Sequence, residues 1–298
     1  VRRPLRDGKL EDWDAVEELW ARAFAQMRRP GPPRDDGPGH PVLAAYPSDA
    51  TAVARERYLE LLFETFGCEA AYLSRAATLA AFAAGRPSAL VVDCGAGSTS
   101  VAPVVDGYCA HWAPRAALRG VSGGAASAAA AYAAWPEGFR DFVDRGAARD
   151  LKESHCVVPK GYGLAVQVAR DKQSFELPDG TVVDPAEPPA VAALPEMIRA
   201  ALERVDVDVR KDLLLNLLLT GGGSCFAGLP ERLHGDVSLA LSSPFKVKVV
   251  APSKFERKFG VWIGGSILTS LGSFQQMWLS KREYDDDGPA RLVEGRWD

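Results

Sequence analysis

Leu217-Leu218-Leu219-Thr220-Gly221-Gly222-Gly223-Ser224 is an apolar run of strand length that ends in consecutive glycines. The run reads as a short buried strand. The glycines let the backbone turn tightly and approach a ligand with no side chain in the way. Phe226-Ala227-Gly228-Leu229-Pro230-Glu231-Arg232-Leu233 then reads as the start of a helix. Strand, glycine turn and helix is where an α/β protein places a nucleotide, at the carboxyl end of its sheet. Taken alone, the same run reads more readily as an ordinary tight connection that binds nothing.

A second stretch strengthens the nucleotide reading. Ala89-Leu90-Val91-Val92 reads as a strand ending in Asp93, and Cys94-Gly95-Ala96-Gly97 leads into a second strand over Ser98 to Val105. Gly95 and Gly97 suit a nest of backbone N–H groups for a phosphate, and Asp93 suits the orientation of a metal-bound water. A purely structural hairpin is the alternative. Lys152 and Glu153 fall on a helical stretch, Phe139 to His155, and suit contact with a ribose and base, although charged pairs on helices usually form solvated faces. Lys258, in Glu256-Arg257-Lys258-Phe259, is by default a surface lysine. Three such loops separated by α/β segments imply one nucleotide in a cleft between two lobes.

Composition narrows the class. The 298 residues are 47% hydrophobic and 25% charged, ordinary for a globular protein with a substantial core. A net charge of −4 predicts no overall grip on nucleic acid or anionic lipid. Five cysteines without CxxC spacing fit a reducing compartment better than a disulfide framework or zinc site, and four scattered histidines argue against a metal centre. No apolar run approaches the ~20 residues that span a bilayer. Val1 rather than Met opens the chain, which leaves room for a missing start.

Elsewhere, Asp12 is placed to cap a helix with apolar positions Trp13, Val16, Leu19, Trp20, Ala23 and Phe24. Arg28 to Gly39 reads as a loop, His40 to Ala45 as a strand, and Asp49 to Phe66 as a helix. Ala76 to Ala84 predicts an alanine-rich, closely packed helix closed by Gly85. Asp106-Gly107 and Asp179-Gly180 read as hairpin turns. Ala125 to Ala134 is helical by propensity, Ala186 to Ala192 is a proline-rich loop, and Pro195 opens a helix to about Arg204. Phe245, Val247 and Val249 alternate with Lys246 and Lys248 as in a half-buried strand. Val261 to Leu271 predicts a buried helix that tolerates Gly264-Gly265 only where something packs closely. Lys246, Lys248, Lys254, Arg257 and Lys258 cluster in sequence, but alternating lysines on a strand more often mark its solvated face, so no specific nucleic-acid contact is predicted from them.

These features resemble the actin family. Val205-Asp-Val-Asp-Val-Arg-Lys-Asp-Leu213, the Thr220 turn, Phe245 to Pro252 and the uninterrupted run Glu256 to Lys281 stand in that family's order. Asp12-Trp13-Asp14, His40-Pro-Val-Leu43, Phe63-Glu-Thr-Phe66 and the Asp93 hairpin match it upstream. The resemblance implies a two-lobed, actin-like α/β fold of the ribonuclease H-like ATPase type around a central nucleotide cleft. It divides the chain into a partial first lobe (1–85), a second lobe (86–250) and C-terminal helices returning to the first lobe (251–298). The expected ligand is ATP with Mg2+ or Ca2+. Gly95, Gly97 and Ser98 would meet its phosphates, Gly120 would lie near the ribose, and Lys152 and Glu153 would lie beside base and sugar. Gly222, Gly223, Cys225 and Phe226 would cover it from the other lobe, with Lys258 beside the adenine. Asp93 would act on the metal through water.

Departures from the pattern carry as much information. The family's first phosphate loop and the outer subdomain after it have no counterpart, so the first lobe reads as truncated. Conventional actin has an aspartate where this chain has Ala96. The glutamine and the histidine that in the family hold the attacking water become Ala76 and Ser100. Phosphoryl transfer to water depends on that positioning, so little or no hydrolysis is expected. The segment after Gly180 is shortened where filament-forming members carry a plug. Ala96, Val105-Asp-Gly-Tyr108, Pro4 to Asp14 and Ser270 to Trp278 resemble the nuclear type-4 subfamily of actin-related proteins. That implies a non-catalytic, nuclear interaction subunit of a chromatin-remodelling or histone acetyltransferase complex, with protein partners that include nuclear actin, no sequence-specific nucleic acid and no membrane. The rival expectation is a cytoplasmic, cytoskeletal actin or actin-like ATPase that forms or caps filaments.

Overall fold

A computed structural model describes residues 4–6, 9–27, 40–95, 98–109, 194–241 and 246–297, with short stretches between 115 and 183. The readings for Arg28 to Gly39, Ala125 to Ala134, Phe139 to His155 and Ala186 to Ala192 lie outside the described residues, as do Gly97, Gly120, Lys152 and Glu153.

In chain order, a small hairpin, β1 (Leu5–Arg6) and β2 (Lys9–Leu10), precedes α1 (Trp13–Met27), β3 (Val42–Tyr46) and α2 (Ala52–Glu60). Then come β4 (Ala70–Arg75), α3 (Ala76–Ala83), β5 (Ala89–Cys94), β6 (Thr99–Val105), β7 (Tyr108–Cys109) and β8 (Arg115–Ala116). Short strands β9 (Cys156–Val157), β10 (Gln167–Val168), β11 (Phe175–Glu176) and β12 (Val182–Val183) follow. The last third holds α4 (Leu194–Glu203), α5 (Val207–Leu215), β13 (Leu217–Thr220), α6 (Leu229–Leu241), β14 (Val249–Val250), α7 (Lys254–Ser270), β15 (Leu279–Ser280), α8 (Lys281–Asp287) and α9 (Pro289–Trp297).

Two sheets organise these elements. The larger runs β14-β13-β5-β6-β7, with β13 parallel to both β14 and β5, and β6 antiparallel to β5. Its central strands are apolar without alternation because both faces are covered. Leu90, Val92, Leu217 and Leu219 meet α4 and α6 on one face. Val91 and Leu218 meet Ala77, Ala80 and Ala81 of α3 on the other. Each fully buried leucine or valine contributes about 2 kcal/mol.

The smaller sheet runs β15-β4-β3, with β3 and β4 parallel. Its core is aromatic where the other is aliphatic: Phe63 stacks on Tyr284 at 4.6 Å, and Trp20 packs among Tyr58, Phe24 and Phe66. The Tyr284 hydroxyl donates to Glu64 Oε1 at 2.6 Å, tying the C-terminal helices to this core.

Two helices join the sheets. α3 runs straight from β4 into the turn before β5, and α7 lies between β14 and β15. They pack on each other so closely that a Cβ on Gly264 would stand 1.8 Å from the Leu79 carbonyl oxygen. The close approach expected at Gly264-Gly265 is therefore real.

The structure corrects four boundaries. The helix expected to open at Phe226 begins at Leu229, because Phe226 is extended and Gly228 has φ +84°. The helix read as Val261 to Leu271 starts at Lys254, set by a capping box in which Ser253 Oγ accepts from the Glu256 N–H and Glu256 accepts from the Ser253 N–H. It is also one-sided rather than buried, since Phe255 is 65% and Trp262 74% exposed. The helix read from Asp49 to Phe66 is α2 followed by a π-helical turn, Leu61–Thr65. The alternating segment at Phe245 to Val249 keeps Val247 buried and Lys246 and Lys248 exposed, but only Val249–Val250 pairs as strand.

Candidate functional site

The site grows from the register of two parallel strands. Thr220, the last residue of β13, lies opposite Asp93 in β5, so the glycine turn and the Asp93 hairpin leave the sheet side by side at its carboxyl edge. This is the place where an open α/β sheet leaves room for a ligand. The sequence held these stretches 127 positions apart; parallel pairing brings them together.

The turn is held from α7. The Gly221 N–H donates to the Arg257 carbonyl at 2.8 Å, and the Thr220 hydroxyl donates to the same oxygen at 3.2 Å. Gly221 has φ +83°, and a Cβ there would stand 2.4 Å from both Asp93 Oδ1 and the Cys94 carbonyl. Only glycine fits. A 3-10 turn follows over Gly222–Cys225, in which the Ser224 N–H and Oγ both donate to the Gly221 carbonyl, at 3.0 and 2.7 Å. The far end is pinned by the Arg257 guanidinium, which donates to the Ser224 carbonyl at 2.5 Å.

Within this frame the expected contact residues divide. Gly222 is exposed, and no described atom stands within 4 Å of a Cβ built on it. Gly223 is buried. Half-buried Cys225 donates its thiol to the Lys254 carbonyl at 3.6 Å, and Phe226 packs into the aliphatic core. Lys258 is exposed on α7 with Nζ 5.8 Å from the Phe259 ring centroid.

On the neighbouring strand, the Gly95 N–H closes the hairpin on the Ser98 carbonyl at 2.9 Å. Burial pushes the Asp93 carboxyl up to about 6. Withdrawal from water disfavours the anion, and a cation close by would restore it. Ser100 lies across from Asp93 on β6. Ala76 opens α3, whose other end places Phe82 3.8 Å from a Cβ on Gly107 at the opposite edge of the sheet. The amino end of α3 therefore points toward the Asp93 edge. Neither Ala76 nor Ser100 carries a group that matches an imidazole or amide in length and hydrogen-bonding capacity.

The arrangement fits a polyphosphate with a divalent cation. Gly222 leaves room for backbone contact with a phosphate, and Asp93 is a desolvated carboxyl in need of positive charge. Among the described residues no group of three or more His, Cys, Asp or Glu gathers to hold a metal directly. An ion near Asp93 would take its ligands from water and phosphate, with the carboxyl contacting its water shell, as Mg2+ commonly allows.

Arg257 is the residue that sequence reasoning missed. In sequence it belongs to one basic cluster with Lys246, Lys248, Lys254 and Lys258; the four lysines are exposed, but Arg257 is buried. Helical spacing held the clue, because Arg257, Gly260 and Gly264 share the face of α7 that is covered.

Comparison with known proteins places these features in a wider set. Residues 1–118 and 183–297 match the family model for actin. The chain is 36% identical over 346 aligned residues to actin-related protein 4 of Oryza sativa subsp. indica and to that of subsp. japonica, an alignment covering 97% of this chain and 77% of each relative. It is 33% identical over 351 residues to actin-related protein 4 of Arabidopsis thaliana, covering 98% of this chain and 78% of the relative.

Proposed function

Because this chain belongs to the actin family, we propose that it works as a non-catalytic interaction subunit that uses ATP as a structural brace, within a nuclear chromatin-remodelling or histone acetyltransferase assembly. The observation that carries the non-catalytic part is the pair Ala76 and Ser100, at the edge of the sheet where Asp93 and the Gly221 turn meet. Orienting a water for in-line attack needs a fixed donor or acceptor of some reach. Alanine has none, and the serine hydroxyl is short. The nuclear and chromatin assignment draws on the similarity to actin-related protein 4 along nearly the whole chain.

In this reading Gly222, Gly95 and Ser98 face the phosphates, Asp93 orders the water shell of Mg2+ or Ca2+, and Lys258 stands beside the base. The bound nucleotide supplies negative charge and hydrogen-bond acceptors that draw the two loops together. The lobes divide as 1–85, 86–250 and 251–298, so α3 and α7 form the crossing between them. Partners are protein subunits, nuclear actin among them.

The test is a thermal midpoint with and without Mg-ATP, alongside phosphate release and sedimentation. An upward shift of about 5 °C at saturating nucleotide, with no release of phosphate, is expected. Steady phosphate release, or a pellet after addition of salt and Mg-ATP, would replace this reading with a filament-forming ATPase.

A further inference from the structure

A buried positive charge lies under the Gly221 turn, paired with no carboxylate among the described residues. Arg257 is 8% exposed. Its guanidinium donates to the Ser224 carbonyl, its Nε has no partner, and no carboxylate pairs with it among the described residues. Arg232, 5% exposed, is instead matched by Asp236 at 2.7 Å. An unmatched guanidinium withdrawn from water is strongly unfavourable, and an anion nearby relieves that cost. Few positions on the protein are better placed to feel such an anion, because Arg257 holds the turn at both ends: its carbonyl fastens Gly221 and Thr220, and its side chain fastens Ser224.

We propose that Arg257 is a positioning and charge-selecting residue of this site, which fixes the Gly221–Ser224 turn and makes it prefer a polyphosphate over an uncharged nucleoside. The proposal rests on the reading of this turn as a nucleotide site, and it adds the element of the ligand that is recognised from below: its phosphate charge. Lys258, exposed on the same helix, is free to swing and is screened by water. Arg257 is held rigidly in a medium of lower dielectric, where a charge acts more strongly.

The experiment measures the affinities of Mg-ADP, adenosine and inorganic tripolyphosphate by titration calorimetry on the full chain, with Arg257→Gln and Arg257→Lys beside wild type. Arg257→Gln keeps a donor for the Ser224 carbonyl and removes the charge; Arg257→Lys keeps the charge and loses the planar fork. The readout is the ratio of adenosine to ADP dissociation constants, which a purely structural role does not move. Expected is at least a tenfold fall in that ratio for Arg257→Gln and a ratio within threefold of wild type for Arg257→Lys. An unchanged ratio in folded Arg257→Gln overturns the proposal. If Arg257→Gln does not fold, Arg257→Lys decides, since a tenfold fall despite retained charge also overturns it. Wild type that binds tripolyphosphate through Arg257 but takes no nucleotide would end the nucleotide reading and leave the anion role standing. Binding of neither would end both.

Discussion

Two glycine runs, Gly221-Gly222-Gly223 in the turn and Gly264-Gly265 in α7, look alike in sequence and serve different ends. In α7 the demand is internal: Gly264 faces the Leu79 carbonyl at 1.8 Å from its would-be Cβ, while Gly265 meets Leu43 at an ordinary 3.4 Å. In the turn, Gly221 is required by its φ and by Asp93, but no described atom lies within 4 Å of a Cβ built on Gly222. The fold thus accounts for Gly264 and Gly221 and leaves Gly222 unexplained from within.

The largest effect should come from Gly264→Ala. The atom in the way is backbone and cannot move aside, so the α3–α7 crossing must open, with a loss above about 3 kcal/mol in urea unfolding. A loss below 1 kcal/mol would show that the crossing is loose. Gly221→Ala should cost about 2–3 kcal/mol, from positive φ and the contact with Asp93, and should abolish the Mg-ATP shift. Gly222→Ala sharpens the contrast: stability within about 0.5 kcal/mol of wild type, with the nucleotide shift reduced. Equal destabilisation by Gly221→Ala and Gly222→Ala would erase the distinction drawn between them.

Asp93 gives a smaller effect with a definite pH signature. Its folded value of about 6 lies above the ordinary 3.8, so the folded protein holds this proton more tightly than the unfolded chain. The contribution is therefore most favourable below about pH 4, declines as pH rises to about 6, and stays low above that. Asp93→Asn, neutral throughout, should be more stable than wild type by about 2 kcal/mol at pH 7.5 without nucleotide, the gap closing by pH 4. A gap that is independent of pH would contradict the desolvation of Asp93. The smallest effect belongs to the uncovered side of α7, where Trp262→Ala should change unfolding free energy by less than about 0.5 kcal/mol.

Much of this architecture was legible from local pattern. Leu217–Thr220, Ala89 to Val92 and the helices at Trp13 and Pro195 follow runs and periods that depend only on near neighbours. Asp12 caps its helix as read, with the Ala15 N–H donating to its carboxylate at 3.0 Å. Phe226 leads directly into the run that becomes helix from Leu229, yet Gly228 at positive φ delays that start. The burial of Arg257 is hinted at only by its helical spacing to Gly260 and Gly264, since its neighbours Glu256 and Lys258 are those of a solvated face.

The chain's own order of residues determined which segments become strands, which glycines can turn, where helices are capped, and that the pattern as a whole resembles actin. These are consequences of backbone sterics and short-range hydrogen bonding. Only the tertiary structure decided that Thr220 stands beside Asp93, that Gly264 is crowded and Gly222 open, and that Arg257 lies buried with its Nε unpartnered among the described residues. Each of those depends on the element packed across from the residue, and burial is a property of that pair rather than of either sequence alone.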